Sequence, residues 1–150
     1  MTFWRINYHF IWGTKYREAV LFGENAEMAI KAIRAEADEL RSIVHAVAVQ
    51  PDHVHVAISS RPVYSPAHIA KQLKGKSSHL LTRVWNSGGG VEWSGWQSEY
   101  GILTFGDRST ATIVEYVNNQ EEHHRSNNIW PHFEDLGSPP KRIPNLEEVL

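Results

Sequence analysis

Apolar and polar positions alternate from the start of the chain. Trp4, Ile6, Tyr8, Phe10 and Trp12 fall on one side of residues 3–12, and Arg5, Asn7 and His9 fall on the other. That period of two predicts a strand. After a connector over residues 13–23, Ala26, Ala29, Ile30, Ile33, Ala37 and Leu40 recur at three- and four-residue spacing. They predict an amphipathic helix of about 16 residues with Asn25 as its N-cap. Residues 42–50 are again rich in β-formers, and Pro51-Asp52 breaks them from the alternating run 53–59. The pair reads as a hairpin. In its second strand Val54, Val56 and Ile58 share one face, and His53, His55, Ala57 and Ser59 share the other.

Ser65-Pro66 has the form of an N-cap followed by proline in the first helical turn. Ile69, Leu73, Leu80 and Val84 then mark a second helix running to about residue 85. A glycine-rich loop, two tryptophans and a fourth strand over residues 100–105 follow. Asp107 or Ser109 caps a third helix over residues 110–124. The order β-α-β-β-α-β-α predicts an α+β, ferredoxin-like antiparallel sheet with two helices on one face, leaving the third helix to pack elsewhere.

Length and charge narrow the classes. At 150 residues the chain is one domain, taken as residues 1–136, with a proline-containing tail over 137–150. The net charge of −2 excludes a protein that coats nucleic acid by bulk charge. There are no cysteines, which excludes disulfides, thiolate metal sites and cysteine nucleophiles. No apolar run approaches a membrane span of roughly 18 residues, and the N-terminus lacks a signal pattern, so a cytoplasmic location is expected. The nine histidines stand out.

His53-Val54-His55 puts two imidazoles on one side of one strand. Either they ligate a divalent metal together, or they are two histidines on a solvent-facing strand. Tyr116, Gln120 and His124 lie at i, i+4 and i+8 on the third helix. Alone, Tyr116 reads as an amphipathic residue at the core edge, and Gln120 and His124 as ordinary solvated helix surface. Beside a histidine pair they supply a nucleophilic hydroxyl, an amide oxygen for a metal and a further polar group. Between residues 61 and 86 stand Arg61, Lys71, Lys74, Lys76 and Arg83, without any Asp or Glu. This is either a solvated helix face or a DNA-backbone contact surface, with Ser77 as an extra donor. Gly75 inside the helix is either incidental or a point of close approach.

Several stretches together resemble the single-tyrosine HUH transposases of insertion sequences, including those associated with repetitive extragenic palindromes (REP). They are His9-Phe10-Ile11-Trp12-Gly13-Thr14-Lys15-Tyr16-Arg17, Pro51-Asp52-His53-Val54-His55, Leu73-Lys74-Gly75-Lys76-Ser77-Ser78, Trp96-Gln97-Ser98-Glu99-Tyr100-Gly101 and the run from Tyr116 to His124. The Asn119-Gln120-Glu121-Glu122-His123-His124 ending resembles the REP-associated branch most. The resemblance implies a transposase that cleaves and rejoins single-stranded DNA through a 5′-phosphotyrosine. It implies Tyr116 as nucleophile, and His53, His55 and Gln120 as ligands of Mg²⁺ or Mn²⁺. His124 would be an additional polar site residue, and Lys71, Lys74, Lys76, Ser77 and Arg83 would contact DNA.

Hairpin-ended DNA and a second copy of the chain are the implied partners. A homodimer is also expected because the first strand's aromatic side chains and the sheet edge look short of cover in one chain. Two rivals remain at the level of sequence. One is a ferredoxin-like nucleic-acid-binding module that cuts nothing. The other is an HUH nicking endonuclease.

Overall fold

The computed structural model, which describes residues 2–85 and 93–120, keeps the predicted order: β1 (Asn7–Gly13), α1 (Gly23–Glu39), β2 (Ile43–Val49), β3 (His53–Ser59), α2 (Pro66–Trp85), β4 (Gly101–Thr104) and α3 (Thr110–Asn118). The strands form one antiparallel sheet in the order β2-β3-β1-β4, the ferredoxin-like α+β arrangement. The tail over residues 137–150 lies outside the described residues.

The period-two faces sort the core. Phe10, Trp12, Val54, Val56 and Ile58 lie against Ile33, Ala37 and Leu40 from α1 and its end, and Ile69, Ala70 and Leu73 from α2. Burying each large side chain contributes roughly 1.5–3 kcal/mol, so this layer is the main anchor of the fold. The opposite face is also covered. There Ala46 of β2 and Ala57 of β3 meet Ile113 and Val117 of α3. The third helix thus packs on the face that the two larger helices leave open. Ala48, Phe105 and Val114 pack around this contact, and a helix of this length depends on such tertiary packing.

Several boundaries differ from expectation. β1 starts at Asn7, and Phe3 and Trp4 are 77% and 40% exposed. The aromatics of β1 proper need no second copy to cover them, because Phe10 and Trp12 are fully buried by this chain's own helices. α1 begins two residues before Asn25, with Phe22 in the cap position and no side-chain cap bond. On α2, Ser65 Oγ accepts from the His68 N–H at 3.1 Å, as an N-cap does. The buried stripe of α2 runs through Ile69, Leu73, Ser77 and Leu81 rather than Leu80, because steps of four bring a hydroxyl into the core. Among the described residues nothing stands within 4 Å of where a Cβ on Gly75 would lie, so none of them requires glycine there by close approach. α3 follows a short turn at Asp107–Ser109, and neither Asp107 nor Ser109 makes a side-chain cap bond.

α1 ends in a Schellman turn. The Arg41 N–H donates to the Asp38 carbonyl and the Ser42 N–H to the Ala37 carbonyl, each at 2.9 Å. Arg41 sits at φ 49°, in the left-handed region where glycine is the usual occupant. A side chain there costs roughly 1–2 kcal/mol. Arg41→Gly is therefore expected to raise unfolding stability by about 0.5–1 kcal/mol, after the added chain entropy of glycine is set against the relief. A denaturant titration reads this. A lowered midpoint would show that the arginine side chain stabilises the fold.

Candidate active site

β3 lies between β2 and β1, so neither edge of it meets water. With α3 on the second face, its polar side is interior as well: His53 is 3% exposed and His55 is fully buried. The histidine pair is not on a solvent-facing strand. Buried imidazoles must be hydrogen-bonded, because an unmet buried polar group costs about 1–3 kcal/mol.

Both rings are held through Nδ1. His53 Nδ1 lies 2.6 Å from Asp52 Oδ1. Arg17 grips the other carboxylate oxygen of Asp52 through its NH2 at 3.0 Å. The His53 hydrogen bond, with Arg17 assisting, outweighs burial and lowers the Asp52 carboxyl to about 2. Asp52 is thus ionised across the working pH range and accepts from Nδ1–H. The connector that delivers Arg17 is tight. Tyr16 and Arg17 both have positive φ, at 59° and 56°. A Cβ on Gly13 would come within 3.0 Å of the Arg17 side chain and of Gln97.

His55 has a partner from another strand. His9 Nε2 lies 2.9 Å from His55 Nδ1, inside the protein. The register pairs Ile11 with His55 and His9 with Ala57, so His9 is the diagonal neighbour of His55 on the same sheet face. Sequence reasoning assigns His9 and Asp52 no site role. His9 opens one family-like stretch and lies on the polar side of β1, a signal that gains meaning only when β1 is known to lie beside β3. Since both rings are engaged at Nδ1, ligation by either goes through Nε2.

α3 brings the tyrosine over these rings. The Tyr116 ring centroid is 6.0 Å from that of His55 and 6.4 Å from that of His9, both edge-on, and Tyr116 is 1% exposed. The helix therefore sits on the histidines of its own chain. Gln120 lies two residues beyond Asn118, after a turn at Asn119, and is also 1% exposed. Its Nε2 donates to the Tyr116 carbonyl at 2.9 Å, and its Oε1 is buried with no hydrogen-bond partner among the described residues. A buried amide oxygen of that kind suits a cation. Among the described residues no three His, Cys, Asp or Glu side chains group to hold a metal. His124 lies outside the described residues.

The cations divide. Lys71, Lys76 and Arg83 are exposed on α2, which covers the sheet face opposite Tyr116. Lys74 is not available to a phosphate in the same way. Its Nζ donates to the carbonyls of Gln97, Ser98 and Glu99 at 2.8, 3.1 and 3.1 Å. Burial lowers its pKa, and Glu99 partly opposes this. Ser77 is fully buried, against the expectation that it contacts DNA. Its hydroxyl donates to the Leu73 carbonyl at 2.7 Å and accepts from Trp96 Nε1 at 3.0 Å. Two of the family-like stretches are thus tied to each other by Lys74 and Ser77.

Comparison with known proteins agrees with this architecture. Residues 2–120 match the family model described as "Transposase IS200 like". The ISDra2 transposase TnpA of Deinococcus radiodurans is 32% identical over 121 residues, which cover 79% of this chain and 86% of that protein. The transposase for insertion sequence element IS200 of Salmonella typhimurium is 28% identical over 127 residues, covering 81% and 80%. A crystallised Deinococcus radiodurans R1 chain assigned as a transposase superposes with a TM-score of 0.64 at 30% identity, covering 79% of this chain and 93% of that one. A REP-associated tyrosine transposase bound to a REP hairpin superposes at 0.58, covering 95% and 99%; at 15% identity this likeness shows the fold alone. The family match spans both the histidine strand and the tyrosine helix, and the chain belongs to the IS200-like transposase family.

Proposed function

We propose that this transposase cleaves and rejoins single-stranded DNA through Tyr116. The tyrosine oxygen attacks a backbone phosphorus, a P–O bond forms, and the bond to the 3′-oxygen breaks. The products are a 5′-phosphotyrosine and a strand with a 3′-hydroxyl. Attack by such a hydroxyl reverses the step, so rejoining needs no nucleotide cofactor. The observation that carries this reading is the packing of Tyr116 against His55 beside the buried Gln120 Oε1, which has no hydrogen-bond partner among the described residues. His53, His55 and Gln120 would hold Mg²⁺ or Mn²⁺. When bound, the ion would supply charge stabilisation at the scissile phosphate.

Asp52 and His9 act on the ligands. Asp52 accepts from His53 Nδ1–H, which fixes the tautomer with its lone pair on Nε2. For His55 to ligate through Nε2, its Nδ1–H must donate to His9 Nε2, so His9 serves as a positioning residue. Tyr116 is buried, so a phosphate reaches its hydroxyl only when the residues packed over it move.

The partners are proposed as hairpin-ended DNA and a second copy of the chain. The structural relative bound to a REP hairpin supports the first. The outer edge of β2, unpaired among the described residues and with Ile43 64% exposed, supports the second. An active protein that sediments as a monomer would contradict the dimer. Lys71, Lys76 and Arg83 would meet DNA phosphates.

Three outcomes follow. Tyr116→Phe should bind a labelled single-stranded hairpin as the wild type does and cleave none of it, while EDTA should stop wild-type cleavage. Normal cleavage in either case would remove the assignment concerned. His9→Phe and Asp52→Asn should each weaken Mn²⁺ binding by about 10–100-fold, read by electron paramagnetic resonance without any DNA. Unchanged Mn²⁺ affinity would deny both residues their positioning role. Replacing Lys71, Lys76 and Arg83 by Ala should lower the salt slope of single-strand binding by about 0.7 for each phosphate no longer neutralised. An unchanged slope would place the DNA elsewhere.

A further inference from the structure

A second feature lies on the same sheet face as the histidines, at the other end of α3. The start of β1, the start of β2, the end of β3 and the first turn of α3 enclose a cavity of about 520 Å³. That is within the range of small-ligand sites. Arg5, Arg41, Arg61 and His45 line it, with Asp107 as the one carboxylate among the described residues. Asp107 is already engaged by Arg5 at 3.1 Å and by Asn7 Nδ2 at 3.0 Å. Arg41 and Arg61 have no carboxylate partner among the described residues. In a chain of net charge −2 this is a local excess of positive charge in a concave site. Guanidinium groups match phosphate with paired donors. Trp4, 40% exposed, is also in the lining.

Arg41 adds an independent argument. It occupies the left-handed position of the Schellman turn, where glycine would relieve the backbone. A local preference broken at a residue that lines a cationic cavity points to a use for its side chain.

We propose that this cavity binds one unpaired nucleotide of single-stranded DNA, its phosphate on Arg41 and Arg61 and its base against the Trp4 indole. The proposal rests on the single-strand reading of Tyr116 and adds to it a place where the strand is held away from the cut. Ser59, at the cavity, and His55, at the tyrosine, lie on one face of β3 four residues apart. At about 3.3 Å per residue that is roughly 13 Å, a gap that a single strand spans in a few nucleotides. Stacking on an aromatic tolerates any base, so the site would grip the strand without reading its sequence.

The test uses the full chain carrying Tyr116→Phe, which cannot turn over, and a fluorescein-labelled single-stranded oligonucleotide followed by anisotropy. Adding Arg41→Gly should leave the denaturation midpoint equal or higher while weakening binding and lowering its salt slope by about 0.7. Adding Trp4→Ala should weaken binding of the single strand about fivefold or more and leave binding of a blunt duplex unchanged. If both variants bind as their parent does while wild-type protein still cleaves, the cavity proposal is overturned and the Tyr116 reading stands. An equal loss for duplex and single strand on Trp4→Ala would also overturn it, since no unpaired base would then be stacked. If the parent binds no single-stranded DNA and wild-type protein cleaves none, both readings fall.

Discussion

The site rests on the cost of burying imidazoles at the centre of a sheet. His53 and His55 lie on β3, an inner strand of the four, beneath a helix, where water cannot satisfy them. An unpaired buried polar group costs about 1–3 kcal/mol, and a domain has only roughly 5–15 kcal/mol to lose. Each ring therefore needs a protein partner at Nδ1. Asp52 provides one and His9 the other. Much of the surrounding architecture serves these two bonds. The turn after β1 takes two residues into positive φ to bring Arg17 onto Asp52. The β1–β3 register brings His9 beside His55.

The other sheet face bears the stability that this arrangement needs. Phe10, Trp12, Ile33, Ile69 and Leu73 form a closed apolar layer there. Lys74 and Ser77 then fasten the chain over residues 96–99 to α2 through backbone carbonyls and the Trp96 indole. One face carries the large apolar core, and the other carries α3, with Tyr116 packed against His55.

The element order, the hairpin and the sheet class were legible because period-two and period-3.6 patterns are strong between residues 7 and 85. The Ser65-Pro66 cap was legible for the same local reason. The burial of His53 and His55 was not. Alternation shows which side chains share a face; it does not show what covers that face, and α3 comes more than 50 residues later. His9 stayed hidden because its bond to His55 joins residues 46 apart. Ser77 was misread as a surface donor because a hydroxyl bonded back to the preceding turn can enter a core without an unmet group. Lys74 was read as one cation among several, but its role depends on three carbonyls some 25 residues on, which no charge pattern reveals.

The central claim is that Tyr116, held beside His55, becomes covalently joined to DNA. Its most direct test is to incubate wild-type protein and divalent metal with a single-stranded hairpin substrate, digest both components and locate the adduct by mass spectrometry. The account predicts a nucleotide joined through its 5′-phosphate to the peptide containing Tyr116, and no other modified tyrosine. An adduct on a different residue, or cleaved DNA with no protein adduct, would contradict it.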